Sequence, residues 1–201
     1  LSTLQLLAGS GKIKSGIVEL NEDGKNLLEY SPNSTEMQKI RGGRIGMIFQ
    51  EPMTSLNPVM TIGAQISESI MIHIGLNREE ARKKAIEWLK KVNIPDAEER
   101  YGFYPQQFSG GMRQRIMIAM VLAAQPDILI CDEATTALDV TSQAQILEMI
   151  KNLSEETGTA VIVVTHNLGI VARYANRIYV MYSGNIVETA DSVKIFKTPK
   201  H

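Results

Sequence analysis

The sequence predicts an α/β fold with a mostly parallel sheet, an inserted helical region and a C-terminal β-hairpin. Short, largely apolar runs at 128–131 and 160–165 are typical of strands buried on both faces of a parallel sheet. The pattern from Pro52 to about Ala124 is almost wholly helical, and it interrupts an α/β pattern on both sides. Ser183-Gly184-Asn185 predicts a tight turn between the last two strands.

The individual elements follow from apolar periodicity and from turn and capping residues. We predict strands at Gly16–Leu20, Ile45–Phe49, Ile128–Cys131, Ala160–Thr165, Arg177–Tyr182 and Ile186–Glu188. We predict helices at Asn33–Arg41, Ile62–Gly75, Asn77–Val92, Gly111–Ala123, Val140–Glu156 and Leu168–Tyr174.

Two adjacent carboxylates, Asp132 and Glu133, directly follow the apolar run at 128–131. In open α/β sheets, ligands bind outside the carboxyl ends of the strands. In nucleotide hydrolases the first carboxylate of such a pair can hold Mg²⁺, and the second can activate a water. A solvated, acidic strand end is the alternative interpretation, and the pair alone does not decide between the two.

A second candidate site is the start of the predicted helix at Ser109-Gly110-Gly111. Ser109 suits an N-cap, and the two glycines let a ligand approach the backbone. Free N–H groups at a helix start favour an anion, and phosphate fits best. Ser-Gly-Gly also occurs in ordinary loops, so its position upstream of Asp132-Glu133 is the more informative observation.

The chain resembles the nucleotide-binding subunit of ATP-binding-cassette (ABC) transporters in five motifs that occur in the order of that family. They are the Q-loop at Phe49-Gln50, the signature motif at Phe108–Gln114, the Walker B strand at Ile128–Glu133, the D-loop at Ala137–Asp139 and the switch histidine His166. The resemblance implies a P-loop NTPase-type fold, ATP and Mg²⁺ as cofactors, and ATP hydrolysis coupled to transport.

One stretch resembles a narrower group within that family. Glu51–Pro58 after the Q-loop is similar to the ATPase subunits of oligopeptide, dipeptide and nickel importers. Ala134 departs from the family's usual Pro after the Asp-Glu pair, and we expect a small effect on loop stiffness. Met112 replaces the Gln of the general family, as is common in the narrower group.

The resemblance also implies a role for each residue of the site. Asp132 would hold Mg²⁺, Glu133 would act as general base on the attacking water, and His166 would contact the γ-phosphate. Gln50 would sense both Mg²⁺ and the attacking water. The nucleotide held by an opposing subunit would be contacted by Ser109, Gly110 and Gly111, with Asp139 at the subunit boundary.

A phosphate-binding P-loop, G-x-x-x-x-G-K-[ST], does not occur in these 201 residues. Gly11-Lys12 fails the pattern, because Leu6 occupies the place of the first glycine and Ile13 that of the Ser or Thr. Leu1 to Leu7 resembles the helix that follows a P-loop. We therefore expect the chain to begin just after that loop, to stop before a C-terminal extension, and to be inactive alone.

The same resemblance divides the chain into two parts. Residues 1–51 and 125–201 would form a partial nucleotide-binding α/β core, and residues 52–124 a helical subdomain that carries the signature motif. Because the P-loop strand is not in the sequence, we expect a gap or an exposed edge in the sheet.

Composition excludes several classes of function. A net charge of −1 gives no basic excess for binding nucleic acid. The most apolar long stretch, at 62–74, is too short and too polar to span a bilayer, so we expect no direct membrane insertion. One cysteine, Cys131, excludes an internal disulfide, and its apolar strand predicts a buried, inert thiol.

The partners expected from the resemblance are a second ATPase subunit, in a homo- or heterodimer, and transmembrane permease subunits. The permease would be contacted through Glu51–Pro58 and the helical subdomain, which places the protein at the cytoplasmic face of the cell membrane. Two alternatives remain open: a soluble ABC-type ATPase not tied to transport, and a non-catalytic interaction module without a P-loop.

Overall fold

The computed structural model describes residues 2–6, 11–20, 24–49, 55–134 and 139–201. The strands are β1 (Ile45–Ile48), β2 (Ile128–Asp132), β3 (Ala160–Val164), β4 (Arg177–Tyr182) and β5 (Asn185–Asp191). The α-helices are α1 (Thr35–Gly43), α2 (Ile62–Ile74), α3 (Arg78–Lys91), α4 (Ala97–Arg100), α5 (Gly110–Leu122), α6 (Val140–Thr157), α7 (Leu168–Tyr174) and α8 (Ser192–Lys197). Short 3₁₀ turns lie at Ser2–Leu4, Leu27–Glu29 and Pro105–Gln107.

The sheet that positions the candidate site is parallel and has the order β1-β2-β3. The strand that leads to Asp132 is therefore central, with Ile128 beside Ile45 on one side and beside Ala160 on the other. Burial raises the pKa of the Cys131 thiol in β2 to about 12. The thiol therefore stays protonated at neutral pH, which agrees with the inert cysteine predicted from the sequence.

The predicted strand at Gly16–Leu20 is wrong. Glu19 forms only an isolated antiparallel bridge, with Asn26. The Asn26 side chain accepts hydrogen bonds from the main-chain N–H groups of Val18 and Leu28. These contacts close a local loop, so the backbone of this segment is satisfied by a side chain rather than by a neighbouring strand.

The third strand of the sheet is exposed, although the sequence predicted a buried one. β3 lies at an edge of the sheet, and Ile162 exposes 50% of its surface. Within the described part of the chain, β4 and β5 form a separate antiparallel pair and do not extend this sheet. The apolar pattern located the strand correctly, but burial of β3 would also require another segment packed against its free edge. An apolar edge of this kind favours further strand pairing.

The helices between β1 and β2 form most of the main apolar core, with α5 at its centre. α5 contacts α2, α3, α6 and β1. The fully or almost fully buried side chains include Ile62, Ile66, Ile70, Ala81, Ala85, Trp88, Leu89, Ile116, Met117 and Leu122. Asn77 and Glu80 form a capping box at the start of α3, which agrees with the predicted helix start at Asn77. A Cβ on Gly63 would lie 2.2 Å from the Tyr101 ring, so this close packing requires glycine.

The C-terminal hairpin has the turn that the sequence predicted. Ser183 and Gly184 both have positive φ, at 46° and 80°, between the paired residues Tyr182 and Asn185. Two central residues with positive φ match the right-handed twist of a hairpin. The described helices include no segment with the length and hydropathy needed to cross a bilayer.

Candidate functional site

The candidate site lies where β2 and β3 end side by side. Glu133 follows β2, and His166 comes two residues after the end of β3. The Nδ1 atom of the His166 ring lies 3.0 Å from Oε1 of Glu133. The His166 side chain is 75% exposed and that of Glu133 28%, so the pair opens to solvent on the imidazole side. The parallel register thus brings together two groups that are 33 residues apart.

The backbone of Glu133 has an unusual conformation that aims its side chain. Its φ is 47°, in the left-handed region that residues other than glycine adopt uncommonly. Its main-chain N–H donates to the carbonyl oxygen of Val164 at 3.0 Å, as a last rung of the ladder between β2 and β3. Strained backbone of this kind is concentrated at functional sites.

Asp132 is the last residue of β2, in register with Val164. Its side chain is half-buried at the carboxyl end of the central strand. A single carboxylate suits Mg²⁺, which is commonly held by one or two protein carboxylates together with substrate phosphates and water. The described residues include no group of three or more His, Cys, Asp or Glu able to hold a metal ion. Asp132 therefore suits an ion that is also bound by the phosphates of a ligand, and not an ion held only by protein side chains.

Ser109 forms the N-cap of α5, as the sequence predicted. Its Oγ accepts a hydrogen bond from the Met112 N–H at 3.4 Å. A Cβ on Gly110 or on Gly111 would meet no atom of this chain within 4 Å. Packing within the described chain therefore does not require glycine at either position. The open space leaves the first N–H groups of a four-turn helix accessible to an anion.

Asp139 forms the N-cap of α6. Its carboxylate accepts hydrogen bonds from the N–H groups of Thr141 and Ser142 and from the Ser142 hydroxyl. The Ser142 hydroxyl is the main cause that holds the pKa of Asp139 below its usual value. The described hydrogen bonds of Asp139 and Ser109 stay within their own helices and do not reach Glu133 or His166.

Several residues singled out in the sequence lie outside the described residues. Gln50, Glu51–Thr54 and the D-loop residues Ala137 and Leu138 belong to this group. Of the stretch Glu51–Pro58, the structure therefore describes only the last four residues. Leu56 in that stretch is buried in the main core, in the same cluster as side chains of α2 and α5, and is therefore not free to contact a permease.

Sequence reasoning included Gln114 in the signature motif but gave it no role of its own; it lies one turn after the glycines of α5. Its Nε2 donates to the carbonyl oxygen of Ala134 at 2.7 Å, next to Glu133. The buried residues of α5 face several sides of the helix, so apolar periodicity does not show that position 114 is buried. A polar side chain inside a helix so rich in apolar residues is the signal that could have identified it.

Sequence reasoning also missed a cavity of about 400 Å³ between β1 and the helices α2 and α5. Its lining is mainly apolar and includes Met47, Phe49, Ile72 and Met120. His73 closes one end, because Gly42 and Gly43 lack the Cβ atoms that would collide with its ring. Burial lowers the pKa of His73, so its ring is neutral at neutral pH.

Comparison with known proteins identifies the family to which the chain is similar. The model of the family described as ABC transporter matches residues 2–136. The oligopeptide transport ATP-binding protein OppD of Bacillus subtilis is 52% identical over 95% of this chain and 52% of its own length. The oligopeptide transport ATP-binding protein AmiE of Streptococcus pneumoniae is 48% identical over 98% of this chain and 54% of its own. The chain thus spans about half the length of these relatives.

Solved structures show the same fold. The dimeric ATP-binding cassette MJ0796, in a post-hydrolysis state bound to ADP and Pi, superposes with a TM-score of 0.71 at 30% identity, covering 85% of this chain and 71% of that one. CbiO1 of Clostridium perfringens, part of the ABC transporter complex cbiONQ, gives a TM-score of 0.78 at 26% identity, covering 98% and 72%. The fold is therefore that of a P-loop NTPase-type ABC ATPase, with its parallel sheet, helical region and C-terminal hairpin, and the chain belongs to the ABC transporter family.

Proposed function

We propose that this chain is part of an ATP-hydrolysing subunit that powers the import of peptides through a membrane permease. The observation that carries the proposal is the contact between Glu133 and His166 at the carboxyl ends of two parallel strands. Both relatives described above are named for oligopeptide transport, which favours peptides over nickel as the cargo.

In the proposed reaction, Glu133 is the general base that takes a proton from the attacking water. His166 is placed to contact the γ-phosphate, because its ring is held at Nδ1 and is otherwise exposed. An imidazolium donates from both nitrogens, so it can bond to Glu133 through Nδ1 and to an anionic phosphate through Nε2 at the same time. Glu133 would thereby orient the group that stabilises the charge of the departing phosphate.

We propose that Asp132 and Gln50 hold Mg²⁺ together with the phosphates of ATP. An ion bound there would neutralise part of the negative charge of the phosphates. The shorter side chain of Asp132, fixed on the central strand, suits a constant ion position. Glu133 is one methylene longer, and its left-handed backbone turns it toward His166.

The second half of the site would come from another ATPase subunit, in a homodimer or a heterodimer. Ser109, Gly110 and Gly111 would bind the γ-phosphate of the nucleotide held by that opposing subunit, and Asp139 would lie at the boundary. The open space at both glycines supports this arrangement, and so does the dimeric state of the solved relative MJ0796.

We also propose the division of the chain into a core of residues 1–51 and 125–201 and a helical subdomain of residues 52–124. In that division, β1 of the core and α2 of the subdomain both line the cavity, and so does Asn57 of the stretch Glu51–Pro58. Its apolar lining and the exposed Ile72 at its edge suit a short apolar helix of a permease subunit. This contact would hold the protein at the cytoplasmic face of the membrane.

We further propose that residues 1–201 alone do not hydrolyse ATP and bind it very weakly, since they contain no P-loop backbone or lysine to hold the phosphates. A nucleotide titration of purified residues 1–201 tests this, and micromolar affinity would refute it.

The experiment that tests the proposed function uses the whole protein with its permease subunits in lipid vesicles. We expect ATP-dependent uptake of oligopeptides and no ATP-dependent uptake of nickel. ATP hydrolysis by the whole protein with no dependence on any permease would instead favour a soluble ABC-type ATPase. A whole protein that neither binds nor hydrolyses ATP would favour a non-catalytic interaction module.

A further inference from the structure

Gln114 connects the start of helix α5 to the turn that carries Glu133. The side chain is almost completely buried, with 1% of its surface exposed. Its amide Nε2 lies 2.7 Å from the carbonyl oxygen of Ala134, which is also buried. The hydrogen bond spans 20 residues of sequence and links the start of α5 to the turn after β2.

Among the described residues, the other half of the Gln114 amide has no hydrogen-bond partner. Its Oε1 atom is buried and makes no hydrogen bond among the described residues. A buried acceptor without a donor destabilises a fold, and most buried polar groups in native proteins are satisfied. An apolar residue of similar size would fill the same space without this disadvantage. The polar side chain therefore has a use other than filling the core. In the part of the chain that the structure describes, its hydrogen bond is the one to Ala134.

The bond from Gln114 to Ala134 helps to hold the uncommon backbone conformation of the neighbouring residue Glu133. Glu133 has a φ of 47°, and its N–H is held by the Val164 carbonyl of β3. On the other side of Glu133, the carbonyl of Ala134 is held by Gln114. The turn of the proposed general base is thus fixed from β3 on one side and from α5 on the other.

We propose that Gln114 is a positioning residue that makes the orientation of Glu133 depend on the position of helix α5. This inference rests on the proposed function, in which the start of α5 binds the nucleotide of the opposing subunit while Glu133 acts on the nucleotide of its own. Gln114 lies three residues after Gly111, within the first turns of α5. A displacement of the helix start therefore reaches Ala134 through a single hydrogen bond, and contact at one nucleotide adjusts the general base at the other.

The test compares three variants of the whole protein with wild type. Gln114→Met keeps the size of the side chain but cannot donate a hydrogen bond. Gln114→Glu can donate to Ala134 only when its carboxyl group is protonated, and burial raises the pKa of such a group. Thr159→Val is the matched control, because Thr159 is also buried and donates to a carbonyl oxygen, that of Pro126 at 2.9 Å, but lies before β3 at the opposite end of the strands.

We expect Gln114→Met to lower kcat by about 10- to 100-fold, as small misplacements of catalytic groups do, with a much smaller change in the KM for ATP. Thr159→Val should keep the wild-type kcat even where its melting temperature falls as far as that of Gln114→Met. The kcat of Gln114→Glu, divided by that of wild type at each pH, should fall as pH rises, because the carboxyl group loses its proton. The same ratio for Gln114→Met should be flat, since methionine does not titrate.

Two results would overturn the inference while leaving the proposed function intact. One is a Gln114→Met enzyme with the kcat of the Thr159→Val control. The other is a pH-independent ratio for Gln114→Glu that equals the ratio for Gln114→Met, which would indicate a purely structural role. A wild-type protein without ATPase activity would instead overturn the proposed function itself, and the inference with it.

Discussion

The main-chain N–H of Glu133 donates to the carbonyl oxygen of Val164, so the strand that leads to His166 also holds the turn of the carboxylate. Both functional side chains are thus positioned by the last residues of one parallel ladder. A change in the spacing of β2 and β3 would disturb both at once. We therefore expect removal of either the imidazole or the carboxylate to change the orientation of the other.

The first prediction concerns His166. His166→Ala in the whole protein should lower kcat by about 10²- to 10³-fold, because a group that stabilises transition-state charge is lost. Binding of ATP should change little, and steady-state hydrolysis together with equilibrium nucleotide binding measures both effects. His201→Ala is the control, since that ring lies near Tyr182 at the C-terminus of the chain. Equal losses in the two variants would contradict the assignment.

The second prediction concerns the pH dependence of the cap at Asp139. Its pKa is lowered in the folded state, mainly by the Ser142 hydroxyl. A lowered pKa means that the stabilisation is present above the unfolded-state pKa and is lost as pH falls through the folded-state value. Asp139→Ala should therefore lower the melting temperature at neutral pH, and its difference from wild type should narrow below about pH 4.

Asp191→Ala is the matched control for the Asp139 experiment. Asp191 also stands at an N-cap position, before α8, but its side chain makes no capping hydrogen bond. Asp191→Ala should therefore lower the melting temperature less than Asp139→Ala does at every pH. A difference for Asp139→Ala that does not vary with pH would show that the carboxylate charge is irrelevant to the cap.

The third prediction concerns the cavity beside α2. Ile72 is 69% exposed at its edge, whereas Leu56 is buried, so Ile72 is the better probe of partner binding. Ile72→Asp should reduce peptide transport by about tenfold, equivalent to one strong interface contact, and should leave basal ATP hydrolysis nearly unchanged. Val193→Asp, at another exposed aliphatic residue on α8, is the control. Parallel loss of transport and hydrolysis would count against this docking surface.

The fourth prediction concerns the exposed strand β3. Residues 1–201 alone should self-associate, because an apolar edge strand offers unpaired backbone groups to another chain. Ile162→Lys should reduce this association in sedimentation velocity experiments, since a charged edge opposes strand pairing. Ile17→Lys changes an exposed isoleucine outside the sheet and should leave the self-association unchanged. A wild-type sample that remains monomeric at high concentration would refute the prediction.

Local sequence patterns were sufficient to locate most elements. Apolar runs identified the strands that lead to Asp132 and His166, because runs rich in β-branched residues favour strands even where, as in β3, the strand is exposed. Capping residues located the starts of α3 and α5 at Asn77 and Ser109. These signals depend on neighbours in sequence, so a single sequence contains them in full.

The features that sequence reasoning missed depend on contacts between distant segments. The exposure of β3 follows from what lies beside it, and the burial of Leu56 follows from the packing of α2 and α5. The bond from Gln114 to Ala134 joins two segments that no local pattern relates. In the segment Gly16–Leu20, which was wrongly predicted as a strand, the Asn26 side chain accepts a hydrogen bond from the Val18 N–H in place of a neighbouring strand. Only the folded chain shows this contact.

The most direct test of the central claim, that Glu133 is the general base, is ATP turnover by Glu133→Gln in the whole protein. Loss of a general base typically costs about 10²- to 10⁴-fold in rate, while removal of a negative charge near the phosphates favours binding. We predict ATP affinity at least equal to that of wild type, very slow hydrolysis, and accumulation of an ATP-bound dimer in size-exclusion chromatography. Near-normal turnover by Glu133→Gln would contradict the assignment and would transfer water activation to His166 or to the substrate phosphate itself.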